Sequence, residues 1–241
     1  MLATTEGIVL HFIKYGETSV IANIYTKEFG KQSFIINAVR GKKSKSKVNL
    51  LQPLFLVELI TYQKQTREVQ RIKEIKASEV YQNIPFDVLK SSQAILLAEI
   101  LYKTIHEQES YPQMFDFIQN ALLYFDLMEK GSANFHLWFL IRLTEYLGFL
   151  PDVSPAGSRM WFDLRKGSLV TYEPSHPLFI EENATKYFIR LSKLKIHELS
   201  DFSLSRSLRE YLLTQIVEYY HLHFENLGEI KSLKVLRESF K

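Results

Sequence analysis

A chain of 241 residues can bury a full core as one large domain or as two small ones, and 46% apolar with 24% charged side chains is the balance of an ordinary globular protein. A net charge of +3 excludes a uniformly basic surface, so any polyanion site has to be a local patch. The absence of cysteine excludes disulfides, thiolate metal sites and cysteine nucleophiles, and suits a reducing compartment.

Met1 to Gly7 carries Glu6 and has no basic stretch running into an apolar one, so no signal peptide is expected. The first third then reads as strand. Ile8, Leu10 and Phe12 alternate with Val9, His11 and Ile13; Val20, Ala22 and Ile24 alternate with Ile21, Asn23 and Tyr25; Phe34, Ile36 and Ala38 alternate with Ser33, Ile35 and Asn37. Tyr15-Gly16-Glu17-Thr18 and Glu28-Phe29-Gly30-Lys31 are short glycine-containing connections suited to hairpins. Leu54 to Tyr62 gives a fourth strand, with Pro53 placed before it where its missing N–H costs little. In Arg67 to Ala77 the apolar residues Val69, Ile72 and Ile75 recur every third position, which reads as a fifth strand carrying a bulge.

Between the third and fourth strands lie Arg40, Lys42, Lys43, Lys45 and Lys47, five cations in eight residues with only glycine and serine between them. Nothing there favours a helix or a packed strand. A cluster of unneutralised cations held on a β scaffold is the footprint of a polyanion partner; the competing reading is a loop kept polar for solubility. Five short antiparallel strands suit a small closed barrel of the OB type, which binds single strands with cations along phosphates and aromatics on bases. Phe12, Tyr15, Tyr25 and Tyr62 are the stacking candidates; the competing reading is that most of these fill the barrel or pack against the next domain.

From Pro85 the period becomes helical. A first helix begins near Pro85 or is capped by Ser91 or Ser92, with an apolar stripe of Ala94, Ile95, Ala98, Leu101, Tyr102 and Ile105. Pro112 opens a second, stopped at Gly131; Asn134 caps a third, Phe135 to Leu147, which is apolar almost all round and should be the most buried. Four prolines between Pro151 and Pro177 interrupt the pattern around a hairpin of Met160 to Asp163 and Leu169 to Tyr172. Helices resume over Glu181 to Leu194 and Ser203 to Phe224, and the pair Glu181–Glu182 suits a helix N-terminus better than a catalytic dyad. The longest apolar runs, Leu137 to Ile141 and Leu54 to Ile60, are too short to cross a bilayer, so a cytoplasmic protein without a membrane partner is expected.

Chemistry-bearing motifs are absent. No glycine-rich turn has phosphate-binding spacing, and no serine sits in a nucleophile elbow. His221 and His223 lie two apart on a helix and cannot share an ion. No catalytic residue, metal site or cofactor is expected.

Four stretches stand out in order: Gly7-Ile8-Val9-Leu10 with Tyr15-Gly16-Glu17-Thr18-Ser19; Thr26-Lys27-Glu28-Phe29-Gly30-Lys31; Ala38-Val39-Arg40-Gly41 through Leu51-Gln52-Pro53-Leu54; and Leu227-Gly228 with Lys231-Ser232-Leu233-Lys234-Val235-Leu236. Together they resemble the RecO family of bacterial recombination mediators. The resemblance implies an α+β protein with an N-terminal five-stranded OB-fold over 1–80. A helical domain over 81–241 would follow, with a hairpin insertion at about 152–176. It implies a non-enzymatic, nucleoid-associated DNA repair protein that binds single- and double-stranded DNA and anneals complements. With RecR it would help load RecA onto DNA covered by single-strand-binding protein. Many members carry a four-cysteine zinc module after a Gly-Phe-x-Pro segment; here Gly148-Phe149-Leu150-Pro151 is present without cysteines. No zinc is therefore expected, the hairpin being held by Trp161, Phe162, Leu164 and Val170. DNA contacts are expected from Arg40, Lys42, Lys43, Lys45, Lys47 and Tyr15. Arg142, Lys231 and Lys234 are candidates to rim a pocket for the acidic tail of single-strand-binding protein; for Arg142 the rival is a salt bridge to Glu145 or Glu99. The rival function is a protein-interaction scaffold that does not bind DNA; a metal-dependent nuclease ranks last because no carboxylate or histidine cluster assembles.

Overall fold

The computed structural model describes residues 1–37, 48–64, 66–106, 109–154, 157 and 159–239. The chain divides into two compact units, Met1–Asp126 and Leu127–Lys241.

The first unit is built on a closed barrel. β1 (Leu2–Tyr15), β2 (Ser19–Thr26) and β3 (Gly30–Ile36) form an antiparallel meander. β5 (Val69–Ala77) runs parallel to β3 and antiparallel to β4 (Leu56–Tyr62), and β4 closes the barrel against β1. All five expected strands are present, but β1 begins six residues earlier than its apolar alternation. Its first half, Leu2 to Ile8, pairs with Tyr62 to Leu56, so backbone bonding and not side-chain pattern makes it strand. The bulge expected in β5 is at Lys73, since Ile60 faces Glu74 while Thr61 faces Ile72.

Gly7 is where β1 serves both neighbours, opposite Thr26 on β2 and Val57 on β4. A Cβ there would stand 2.6 Å from Ile24 Cγ2, so only glycine fits. The barrel interior is filled by Val9, Val20, Ile24, Phe34, Leu51 and Leu59, all but Val20 fully buried. Ile8 and Leu10 are buried as well, because α1 (Val88–Thr104) packs on β1.

α1 starts at neither Pro85 nor a serine cap. Asp87 is its N-cap, accepting from Lys90 N at 2.9 Å. The single stripe assigned to it is too narrow: Gln93, Leu96, Leu97 and Ile100 are buried too, while Ile95 is exposed. α2 (Pro112–Leu127) follows. Near its end Asp126 accepts from the backbone N–H groups of Gln82, Asn83 and Ile84 at 2.7–2.8 Å, fixing the segment that leads into α1.

In the second unit α3 (Phe135–Tyr146) is the buried centre, as its composition indicates. Trp138 Nε1 donates to Leu194 O at 2.9 Å, and Tyr220 Oη donates to Leu140 O at 2.7 Å. Asn134 makes no side-chain cap to α3. Its amide instead donates to Phe202 O and accepts from Arg209 Nε, tying two later segments together. The expected hairpin, β6 (Trp161–Asp163) and β7 (Ser168–Val170), gains a third strand, β8 (Phe179–Ile180), in the order β7-β6-β8. α4 (Glu182–Lys193), α5 (Arg206–His223) and α6 (Ser232–Ser239) complete the unit. Among the described residues no helix is long and apolar enough to cross a membrane.

Candidate nucleic-acid interface

Strand periodicity sends alternate side chains outward, and the register lines them up across the barrel. Ile13 faces Ile21, Ile21 faces Ile35, Ile35 faces Arg71, Arg71 faces Tyr62 and Tyr62 faces Leu2, so one outward row touches all five strands. Tyr62 is 44% exposed and Ile13 49%. Arg71 and the bulge residue Lys73 are exposed, as is Arg67 in the β4–β5 turn, and none of the three has an ion pair among the described residues. By contrast, Lys27 is neutralised 2.7 Å from Asp116, whose hydrogen bond holds the ammonium above the usual lysine range, and Lys76 pairs with Glu58.

Tyr15 ends the row's neighbour strip at the β1–β2 turn, 54% exposed. It faces Ser19, whose hydroxyl donates to Asn37 Oδ1 at 3.2 Å. Asn37 immediately precedes the cationic stretch; Arg40, Lys42, Lys43, Lys45 and Lys47 lie outside the described residues. Two other stacking candidates are spent elsewhere. Tyr25 is fully buried, with its ring 5.9 Å from Phe115 and its hydroxyl on Tyr111 O, and Phe12 packs on the barrel core.

Two residues along β2 and β3 from Ile21 and Ile35, the outward side chains are Asn23 and Ser33. They border a cleft of about 530 Å³ whose other walls include Lys31, Gln32, Arg67 and Glu68. Lys31 Nζ donates to Tyr102 O at 2.9 Å and sits 5.2 Å from that ring. Sequence reasoning passed over Arg67 and Arg71 because their segment was read for its apolar spacing; the cations between those apolar positions were the available signal.

In the second unit two of the candidates for a protein-binding rim are paired with carboxylates. Arg142 pairs with Glu145 at 2.8 Å, the rival reading for this residue, and Lys234 pairs with Glu229 at 3.1 Å. The hairpin packs through Phe162, Leu164 and Val170, while Trp161 is only half-buried. Its turn is organised by the buried carboxylate of Asp163, which accepts from Arg165 N and Lys166 N and lies 3.4 Å from His176 Nε2. Without cysteine, these residues do not fit a thiolate zinc module, and among the described residues no group of three or more His, Asp or Glu is placed to hold a metal ion.

A closed five-stranded barrel with strand order 1-2-3-5-4, followed by helices around a small sheet, defines an OB-like barrel protein with a helical C-terminal part. Residues 1–81 match the family model for the N terminal part of recombination protein O and residues 85–234 that for its C terminal part, so the chain belongs to the RecO family of DNA repair proteins. It is 35% identical over 241 residues to the DNA repair protein RecO of Bacteroides fragilis, covering 100% of both chains. The RecO proteins of Phocaeicola vulgatus and Flavobacterium psychrophilum are 33% and 34% identical, again over 100% of each chain. A solved structure, the asparaginyl-tRNA synthetase of Entamoeba histolytica, overlaps 66% of this chain and 35% of its own at a TM-score of 0.27 and 16% identity, too slight a likeness to bear on the fold.

Proposed function

We propose that the barrel binds single- and double-stranded DNA and anneals complementary strands, without enzymatic turnover. With RecR, the protein would help load RecA onto DNA covered by single-strand-binding protein. The outward row carries this reading: aliphatic side chains and Tyr62 flank Arg71 there, with Lys73 and Arg67 nearby in sequence on the same strand and its turn, and these three cations have no ion pair among the described residues, on a chain of a DNA repair family. Arg40, Lys42, Lys43, Lys45 and Lys47 supply five further positive charges from the connection that leaves β3 near Tyr15. Contacts of this kind are independent of base sequence, as annealing requires. Neutralising phosphates on two strands removes the repulsion that keeps complements apart. In the helical part, Arg142, Lys231 and Lys234 would receive the acidic tail of single-strand-binding protein by exchanging their present interactions for its carboxylates.

The test is fluorescence anisotropy of a labelled single strand across a salt series, with wild type beside a variant in which Arg40, Lys42, Lys43, Lys45 and Lys47 are alanine. Five engaged cations correspond to a slope of log affinity against log salt of roughly −3.5, lost in the variant. Absence of DNA binding by wild type at low salt would overturn the reading and leave the protein-interaction scaffold.

A further inference from the structure

The cleft between β2, β3 and the β4–β5 turn is preset to donate hydrogen bonds. Ser33 Oγ donates to Asn23 Oδ1 at 2.8 Å, and Gln63 Nε2 donates to Gln32 Oε1 at 2.9 Å. Each bond occupies the carbonyl end of an amide and leaves the N–H2 ends of Asn23 and Gln32 without a protein acceptor among the described residues. The facing wall is braced by Gln70. It accepts from Lys64 N and donates to Lys64 O and Arg67 O at 2.7–2.9 Å, so its own amide is consumed in holding Thr66, Arg67 and Glu68 in place.

Two neutral N–H2 groups, a guanidinium and an ammonium therefore line one cavity, together with the Glu68 carboxylate, the Thr66 and Ser33 hydroxyls and the His106 ring, which can accept. Its volume is that of a small-ligand site, but its walls are polar, which disfavours an apolar ligand. The matching chemistry is a planar group whose edge carries carbonyl oxygens and whose neighbour carries negative charge. A thymidine nucleotide has both. An exocyclic amino group, as on adenine, cytosine or guanine, would set donor against donor.

We propose that this cleft receives one unstacked thymine from the bound single strand, with Asn23 and Gln32 donating to its carbonyl oxygens and Arg67 on the adjoining phosphate. The proposal rests on the DNA-binding reading and adds a base subsite to it. One occupied subsite biases the register of a strand without dictating its sequence.

The experiment compares three labelled strands of equal length at one salt concentration: oligo-thymidine, oligo-deoxycytidine and a strand of abasic sites. Wild type is set beside the double variant N23A/Q32A, whose thermal melting checks the fold. Wild type is expected to bind oligo-thymidine about threefold to tenfold tighter than the other two. The variant should lose that difference while keeping its affinity for the abasic strand and its salt slope. A variant that keeps the thymidine preference overturns the proposal, and so does one whose affinity for all three strands falls together with its salt slope, the mark of a phosphate contact alone. Failure of wild type to bind any strand would overturn the DNA-binding reading itself, a result distinct from either.

Discussion

The Tyr81 hydroxyl donates a 2.8 Å hydrogen bond to the carbonyl of Leu54, and Leu54 is the one non-glycine among the described residues with a left-handed backbone, at φ 64°. That conformation costs a leucine about 1–2 kcal/mol. It is held by full burial of the side chain, by the bond from Tyr81, and by a 2.7 Å bond from Leu54 N to Val9 O. Burial, and then the Asp126 carboxylate, push the Tyr81 phenol well above its usual range, so it stays a donor. Tyr81→Phe leaves a buried carbonyl without its partner and is expected to lower stability by about 1–3 kcal/mol, read as a shift in the urea midpoint at unchanged slope.

Asp126 is expected to be more costly still. Its carboxylate satisfies three backbone donors, and the Lys90 ammonium lies on its own carbonyl at 2.8 Å. Asp126→Asn keeps the shape but turns an N–H2 toward an N–H, with an expected loss of about 2–3 kcal/mol; Asp126→Ala should lose more. Denaturation of both variants beside wild type measures this, and equal stability of Asp126→Asn and wild type would contradict it.

His136 makes the second unit acid-sensitive. Full burial, and after it the charge of Arg209, lower its pKa to about 3 from an ordinary 6.5. Between those values the unfolded chain binds a proton that the folded chain refuses, so stability is full above about pH 6.5 and falls as the pH drops toward 3. Thermal melting from pH 7.5 to 4.5 should show this decline, and His136→Gln, which cannot titrate, should flatten it.

Arg67, Arg71 and Lys73 lie on the outer face and contribute nothing to the core. Changing all three to alanine is expected to reduce the magnitude of the salt slope for single-stranded DNA by about 2, with melting unchanged. Tyr62→Ala should weaken single-strand binding by about 1–3 kcal/mol if its ring carries one base. Tyr25→Ala should instead unfold the barrel, because that ring is fully buried.

Five strands, the β5 bulge, the buried α3 and the hairpin were legible because each is written in local periodicity. What escaped depended on partners distant in sequence. Leu2 to Glu6 has no apolar alternation and becomes strand only when β4 arrives. Tyr25 has the same outward register as Asn23, yet α2 covers it, so pattern alone could not separate a stacking ring from a packed one. Asp126 on a helix looks like any solvated carboxylate until the chain at Gln82 to Ile84 is laid against it. The polar cleft was illegible for the same reason: Asn23 and Gln32 are set side by side by the β2–β3 hairpin, but Arg67 reaches them only through the parallel β3–β5 pairing.

That pairing also sets the order in which the chain can fold during synthesis. β1, β2 and β3 can zip as they leave the ribosome, but Leu2 must wait for Tyr62, about sixty residues later, and β3 for β5. Until then the nascent meander has two unpaired strand edges, the free side of β1 and the free side of β3. The five cations between β3 and β4 emerge during this interval, and their mutual repulsion opposes association of one unfinished chain with another. The same charges proposed to gather DNA would thus keep neighbouring nascent barrels apart on a polysome.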